Sequence, residues 1–245
     1  MTPRALEIAS VTKKFGGRAA ISGLTLQIDP GEIYGLIGPN GSGKTTTIKM
    51  IAGLYRPTKG SISIGGIDVA KTPTRAKRRI GYVPDDPAGY DRLTGREFLE
   101  FVGQLYGMER GARDRKIDEL LERYDLGRLA DGLFGRYSRG TKQKFSILAA
   151  LLHAPSLLLV DEPMVGLDPA SAVATEELFR EFARAGGAIL LSTHTLAVAE
   201  ILCGRFGLLQ EGRLAAEGTL VDLRARAGLG SGTLEECYLK LAAKL

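Results

Sequence analysis

The sequence predicts an α/β fold: a largely parallel sheet with a helical subdomain inserted mid-chain. Three observations carry this. Apolar runs of strand length alternate with helix-length segments on either side of the chain's middle, the pattern of a parallel sheet covered on both faces. Between about Gly95 and Leu152 the strand signals stop and helical spacing takes over. The 32 glycines, with no tryptophan and 7% aromatic residues, point to many tight turns.

The elements follow in order. Residues 6–12, 23–28 and 33–37 read as strands, the second by its alternating apolar positions. The third runs into a glycine-rich loop and then a helix over 45–52, ended by Gly53. Residues 61–64, closed by Gly65 and Gly66, and residues 80–83, closed by Pro84, are further short strands. Helices are expected over 96–106, 114–124 and 141–152. Strand-like runs return at 157–160, 189–191 and 206–209, with helices over 171–185 and 196–203 between them. The stretch 212–245 reads as a hairpin strand followed by two short helices.

Composition excludes several classes. With 44% hydrophobic and 25% charged residues among 245, the chain is neither disordered nor fibrous. Two cysteines, Cys203 and Cys237, cannot build a disulfide framework and read as buried reduced thiols of a cytoplasmic protein. The first ten residues lack the apolar run of a secretory signal. The richest apolar stretch, 147–160, is interrupted by His153, Pro155 and Ser156, far short of the ~18 residues that span a bilayer. The net charge is +5. Its basic groups, Arg75 with Lys77, Arg78 and Arg79, and Arg110 with Arg113, Arg115 and Lys116, read as solvated surface, with contact to anionic headgroups or nucleic acid as the sharper alternatives. Without interleaved aromatics or a nucleic-acid motif, no nucleic-acid partner is expected.

The strongest chemical signal is Gly38-Pro39-Asn40-Gly41-Ser42-Gly43-Lys44-Thr45, which fits G-x-x-x-x-G-K-[ST] between a predicted strand and a predicted helix. Glycines let backbone N–H groups converge on an anion, and the helix N-terminus adds partial positive charge. Lys44 is placed to reach the β- and γ-phosphates of a nucleoside triphosphate, and the Thr45 hydroxyl to ligate Mg²⁺. The second signal is the apolar run 157–160 ending in Asp161-Glu162-Pro163. It delivers two carboxylates to the carboxyl edge of the sheet, beside the phosphate loop. Asp161 can hold Mg²⁺ through water, and Glu162 can polarise an attacking water, assistance typically worth ~10²–10⁴ in rate.

Together with Tyr137-Ser138-Arg139-Gly140-Thr141-Lys142-Gln143, these motifs resemble the ATP-binding cassette (ABC) ATPases, the motor subunits of ABC transporters. The likeness runs from about Leu6 to at least Gly218. The third motif is similar to the family's Leu-Ser-Gly-Gly-Gln signature, and implies that Ser138 and the Gly140 backbone grip a γ-phosphate bound to a partner subunit, in a head-to-tail dimer. Gly166-Leu167-Asp168 resembles the D-loop, in which Asp168 communicates across the dimer. His194, after Ser192-Thr193, resembles the switch histidine that contacts the γ-phosphate. Phe15 stands where the family has an aromatic stacked on adenine, with core packing as the alternative. His153 has no such context and reads as structural. The resemblance thus implies ATP held by Phe15, Asn40, Gly41, Ser42, Gly43, Lys44, Thr45 and Thr46, with Ser138 and Gly140 supplied across a dimer. Mg²⁺ falls to Thr45, Asp161 and Asp85, and catalysis to Glu162, His194 and Lys44.

Three positions depart from the family pattern. Asp85 replaces the Q-loop glutamine, so a shorter carboxylate approaches Mg²⁺ or the lytic water but adds negative charge beside the phosphates. Arg139 replaces the first signature glycine, and Thr141 the glutamine. The signature Tyr137-Ser138-Arg139-Gly140 and the tail, Gly212–Thr219 and Thr233–Leu239, resemble the ABC-2 type exporter branch serving multidrug, antibiotic or sodium efflux. That branch carries its membrane permeases as separate chains. The resemblance implies a single ABC ATPase domain of α/β class: a phosphate-loop nucleotide-binding core over 1–85 and 156–218 with a largely parallel sheet and an N-terminal antiparallel β portion, a helical and signature subdomain over 86–155, and a tail over 219–245. It would work as a dimer, peripheral on the inner face of the cell membrane. The alternatives are a soluble ABC-type ATPase acting on nucleic acid or in assembly, and a regulatory subunit that binds nucleotide without hydrolysing it.

Overall fold

The computed structural model describes residues 3–87 and 89–242; Met1, Thr2, Ala88 and residues 243–245, which fall within the three expected segments, lie outside the described residues. The chain opens with β1 (Leu6–Phe15), β2 (Arg18–Ile28) and β3 (Ile33–Ile37), then α1 (Lys44–Ile51), β4 (Lys59–Ile64), β5 (Ile67–Asp68), α2 (Pro73–Lys77) and β6 (Ile80–Val83). A helical stretch follows: α3 (Gly95–Leu105), α4 (Arg110–Arg123) and α5 (Arg139–Leu151). Alternation resumes with β7 (Leu157–Asp161), α6 (Pro169–Arg184), β8 (Ala188–Thr193), α7 (Leu196–Leu202) and β9 (Arg205–Gln210), and ends with β10 (Arg213–Gly218), α8 (Leu220–Ala227) and α9 (Leu234–Ala242).

Two sheets organise these elements. The first has order β2-β1-β4-β5 and is antiparallel throughout. The second has order β10-β9-β3-β8-β7-β6, parallel except for the β9–β10 hairpin. Its inner strands β3, β7 and β8 are buried along their whole length because both faces of the sheet are covered. Along β7, Leu157 and Leu159 join the core shared with α1 and the antiparallel sheet, whereas Leu158 and Val160 join the core under the helices. This is the period-two alternation of a strand buried on each side. The parallel register pairs Val83 with Val160 and Asp161 with Ser192, so four strands end at one edge and their loops emerge together.

The predicted class is the one observed, with differences at the margins. β1 continues to Phe15 and β2 starts at Arg18, because register shifts between Ile8 and Lys14 break the alternation that marks a strand in sequence. α4 begins at Arg110 rather than 114, capped by the Glu109 carboxylate, which accepts from the Ala112 N–H at 3.1 Å. α5 begins at Arg139 rather than 141, capped by Ser138. Both cysteines are buried free thiols, as expected, and no helix among the described residues is long and apolar enough to cross a membrane.

Candidate active site

β3 is buried along its whole length and launches the phosphate loop from the sheet edge. Gly43 turns the chain into α1 at φ +111°, and a Cβ there would lie 2.4 Å from Ile21 Cδ1, so this position takes glycine on two counts. Lys44, 7% exposed, folds its ammonium back onto the loop, donating to the Gly38 carbonyl at 2.7 Å and the Pro39 carbonyl at 3.2 Å. Burial lowers its pKa, and the nearby Glu162 and Asp161 carboxylates oppose that. A desolvated cation held only by neutral carbonyls gains by exchanging them for phosphate oxygens. The Ser42 hydroxyl is buried beside it without a hydrogen-bond partner.

β7 ends in Asp161, 2% exposed. Burial pushes its carboxyl above the ordinary range; Glu162 and Asp85 push the same way, against the Ser192 and Thr45 hydroxyls. Oδ2 has no hydrogen-bond partner. A buried carboxylate oxygen left unpaired beside a threonine hydroxyl is the donor set of a hard divalent cation, so these residues fit Mg²⁺. No cluster of three His, Cys, Asp or Glu able to hold a metal occurs among the described residues. Mg²⁺ would therefore keep several ligands from water and phosphate, as this ion commonly does.

Glu162 sits at φ +50°, a region that costs a non-glycine residue about 1–3 kcal/mol. The surroundings hold it there. Its N–H donates to the Ser192 carbonyl at 2.8 Å. Its Oε2 accepts from the Thr193 hydroxyl at 2.8 Å, and its Oε1 from the His194 N–H at 2.8 Å and from His194 Nδ1 at 2.6 Å. The carboxylate is aimed by three donors at the end of β8. With Nδ1 on Glu162, His194 keeps Nε2 for another partner.

Ten of the expected residues line one cleft of about 440 Å³: Asn40, Gly41, Gly43, Lys44, Thr45, Thr46, Asp85, Asp161, Glu162 and His194. A second cleft of about 520 Å³ shares Ala20 and Gly41 with it and contains Phe15. Phe15 is 44% exposed, which removes the core-packing alternative, and its ring stands edge-on to Tyr55 at 5.3 Å with Lys13 Nζ 4.8 Å away. Ser138 and Gly140 are not in their own chain's cleft. Ser138 Oγ accepts from the Thr141 N–H at 3.2 Å and lies 2.9 Å from the Thr141 hydroxyl, either of which can donate to the other. A Cβ on Gly140 would lie 2.2 Å from the Gly166 carbonyl, so glycine is required here by close packing. Asp168 caps α6, accepting from the Ser171 N–H at 2.9 Å and hydroxyl at 2.6 Å. His153 packs on Tyr106 and bonds the Ile80 carbonyl, a structural setting as expected.

Sequence reasoning did not place two contributors. Arg139 lines the cleft and donates from Nη2 to both the Asp85 carbonyl (3.1 Å) and Oδ1 (3.2 Å). Thr193 orients Glu162. Adjacency to His194 was the available signal for Thr193; for Arg139, a charge inside a glycine motif was the only one.

Comparison with known proteins agrees with this geometry. The ABC transporter family model matches residues 21–165. The linearmycin resistance ATP-binding protein LnrL of Bacillus subtilis (strain 168) is 37% identical over 223 residues, covering 91% of this chain and 72% of that one. A solved ATP binding subunit of an ABC transporter superposes with a TM-score of 0.94 at 39% identity, covering 97% of this chain and 99% of the other. The ATP-binding cassette MJ0796, solved as a dimer in a post-hydrolysis state bound to ADP and Pi, gives 0.81 at 28% identity over 88% of this chain and 98% of its own. The phosphate loop, the paired carboxylates and the family match lead to one conclusion: this chain belongs to the ABC transporter family, as an ATP-binding subunit with ATPase activity.

Proposed function

We propose that the chain hydrolyses Mg²⁺-ATP as a head-to-tail dimer and drives separate membrane permease chains in export. The observation that supports it most is the convergence of Lys44, Thr45, Asp161, Glu162 and His194 at one sheet edge, with Asp161 Oδ2 left unpaired. Lys44 exchanges the Gly38 and Pro39 carbonyls for β- and γ-phosphate oxygens, while loop N–H groups from Asn40 to Thr46 hold the rest. Phe15 offers its exposed ring to adenine. Thr45 and Asp161, with Asp85 at the rim, hold Mg²⁺, which when bound supplies positive charge to the phosphate oxygens. Glu162 accepts the proton of the attacking water. His194 fixes that carboxylate through Nδ1 and turns Nε2 toward the γ-phosphate. Ser138 and Gly140 of one chain complete the site of the other, and Asp168 carries the signal between them. Positioning and electrostatics account for the rate.

The division into a core (1–85, 156–218), a signature block (86–155) and a tail (219–245) gives the stroke a lever. A groove of about 300 Å³ beside Asp85, formed by Tyr82, Pro84, Phe98, Val102, Leu105 and Tyr106, is suited to a permease segment. Leu105 stands 68% exposed at its margin. Export rather than uptake is supported by the efflux-type signature and tail and by a relative named for linearmycin resistance. The chain would then lie on the cytoplasmic face of the membrane, with no nucleic-acid partner. Pull-down of the tagged chain from gently solubilised native membranes tests this. A stoichiometric polytopic membrane protein is the expected companion; recovery alone, or with nucleic acid or assembly proteins, would overturn the transport role and leave the ATPase.

A further inference from the structure

Two of the departures from the family pattern meet in space. Asp85 and Arg139 lie 54 positions apart in sequence, yet one guanidinium nitrogen binds both the backbone carbonyl and the carboxylate of Asp85. Both side chains are about half exposed, so the pair adds little to stability. Its location gives it another use. Asp85, Asp161 and Glu162 line the cleft in which a triphosphate must sit, and Lys44 and Arg139 are the cations among the lining residues. The stem of Arg139 lies against Gly166, its neighbour Gly140 packs on the Gly166 carbonyl, and its head reaches Asp85. One residue thus ties together the loop after β6, the loop after β7 and the start of α5.

We infer that Arg139 is a positioning residue for the nucleotide site of its own chain: it neutralises and aims Asp85, so that a carboxylate can stand at this rim without repelling the triphosphate. The inference rests on the ATP-site reading above. It makes Arg139 useful only because Asp85 is charged, and that dependence can be measured.

The experiment is a double-mutant cycle in the full chain with R139Q, D85N and D85N/R139Q, plus R139K. Binding of a fluorescent ATP analogue in EDTA is read first, since repulsion by an uncovered carboxylate is greatest without a divalent cation; KM and kcat for Mg²⁺-ATP follow. R139Q is expected to weaken metal-free binding about tenfold and to raise KM more than it lowers kcat. In the D85N background the same change should cost less than about twofold, and R139K should recover part of the loss because a point charge remains. Equal losses from R139Q in both backgrounds would overturn the inference, as would a loss seen only at concentrations where dimers form, since Arg139 would then serve the partner's nucleotide. A wild-type chain that binds the analogue in neither EDTA nor Mg²⁺ would overturn the site reading itself, and this inference with it.

Discussion

The two ends of the parallel sheet carry charge in opposite ways. At the amino ends of β3 and β9, Arg205 uses all three guanidinium nitrogens: Nε donates to Glu32 at 2.7 Å, Nη1 to Glu217 at 2.8 Å, and Nη2 to the Gln27 carbonyl at 2.6 Å. The Tyr34 hydroxyl donates to Glu217 at 3.1 Å, and burial with the neighbouring carboxylate keeps that phenol protonated. At the carboxyl ends, Ser42, Asp161 and Ser192 have buried oxygens without partners, Lys44 rests on neutral carbonyls, and Glu162 sits at a positive φ. One cluster is satisfied by the chain itself and fastens the fold. The other is satisfied only by something the chain does not contain. Unpaired buried polar atoms cost roughly 1–3 kcal/mol each, and their accumulation at one edge is the physical trace of a binding site.

The comparison predicts opposite outcomes for substitutions at the two ends. The largest effect belongs to Glu162→Gln. It keeps the shape but removes the base, so turnover should fall by ~10²–10⁴ or more while ATP binding persists and the dimer survives gel filtration in ATP. Thermal stability should hardly move. Near-normal phosphate release would remove Glu162 as the base.

Arg205→Ala should do the reverse. It strands Glu32 and Glu217 beside the Tyr34 hydroxyl, and breaking a buried pair from one side costs ~3–5 kcal/mol. Because Arg205 is 29% exposed, water relieves part of this, leaving a loss of about 2–3 kcal/mol in denaturant melts. ATPase activity per folded molecule should stay within about twofold. An unchanged melting midpoint would show that the amino-end cluster is surface decoration, and the contrast between the two ends would collapse.

How far this was legible in sequence follows from which parts are local. The phosphate loop is eight consecutive residues between a strand and a helix, and Asp161-Glu162 closes an apolar run, so both ends of the cleft could be read directly. β6 and the bounds of β3 were legible for the same reason. α2 was not, since Pro73–Lys77 is a single turn too short to show a period. Nor was β5, two residues long. Contacts that depend on the fold are spelled in no single segment: Arg139 reaches Asp85 across 54 positions, and Thr193 holds Glu162 across 31. The strain at Glu162 was invisible because a glutamate at positive φ has no sequence signature.

The smallest predicted effect tests whether an unpaired buried atom marks a ligand when it stands alone. His153 Nδ1 is such an atom, and it lies away from the cleft. The ring stacks on Tyr106 at 3.5 Å, and Nε2 faces the Ile80 carbonyl at 3.0 Å, so the proton of the neutral ring belongs on Nε2 and Nδ1 stays bare. Charging the ring would bury a second N–H without an acceptor, and burial accordingly lowers the pKa below its ordinary value, against the smaller pull of the Ile80 carbonyl. With a folded pKa below the unfolded ~6.5, the unfolded chain binds more protons just under that pH. The contribution of His153 to stability is therefore complete above ~6.5 and is lost as pH falls from there toward the folded pKa. Melts of the wild type and His153→Gln between about pH 5 and 7.5 isolate it, because every other titrating group is shared. The wild type should lose more stability than the variant on the acid side, with nucleotide affinity equal in both. A difference that instead grew toward alkaline pH would place the proton on the wrong side of the balance. A change in nucleotide affinity would mean that the Tyr106–His153 stack reaches the cleft through β6.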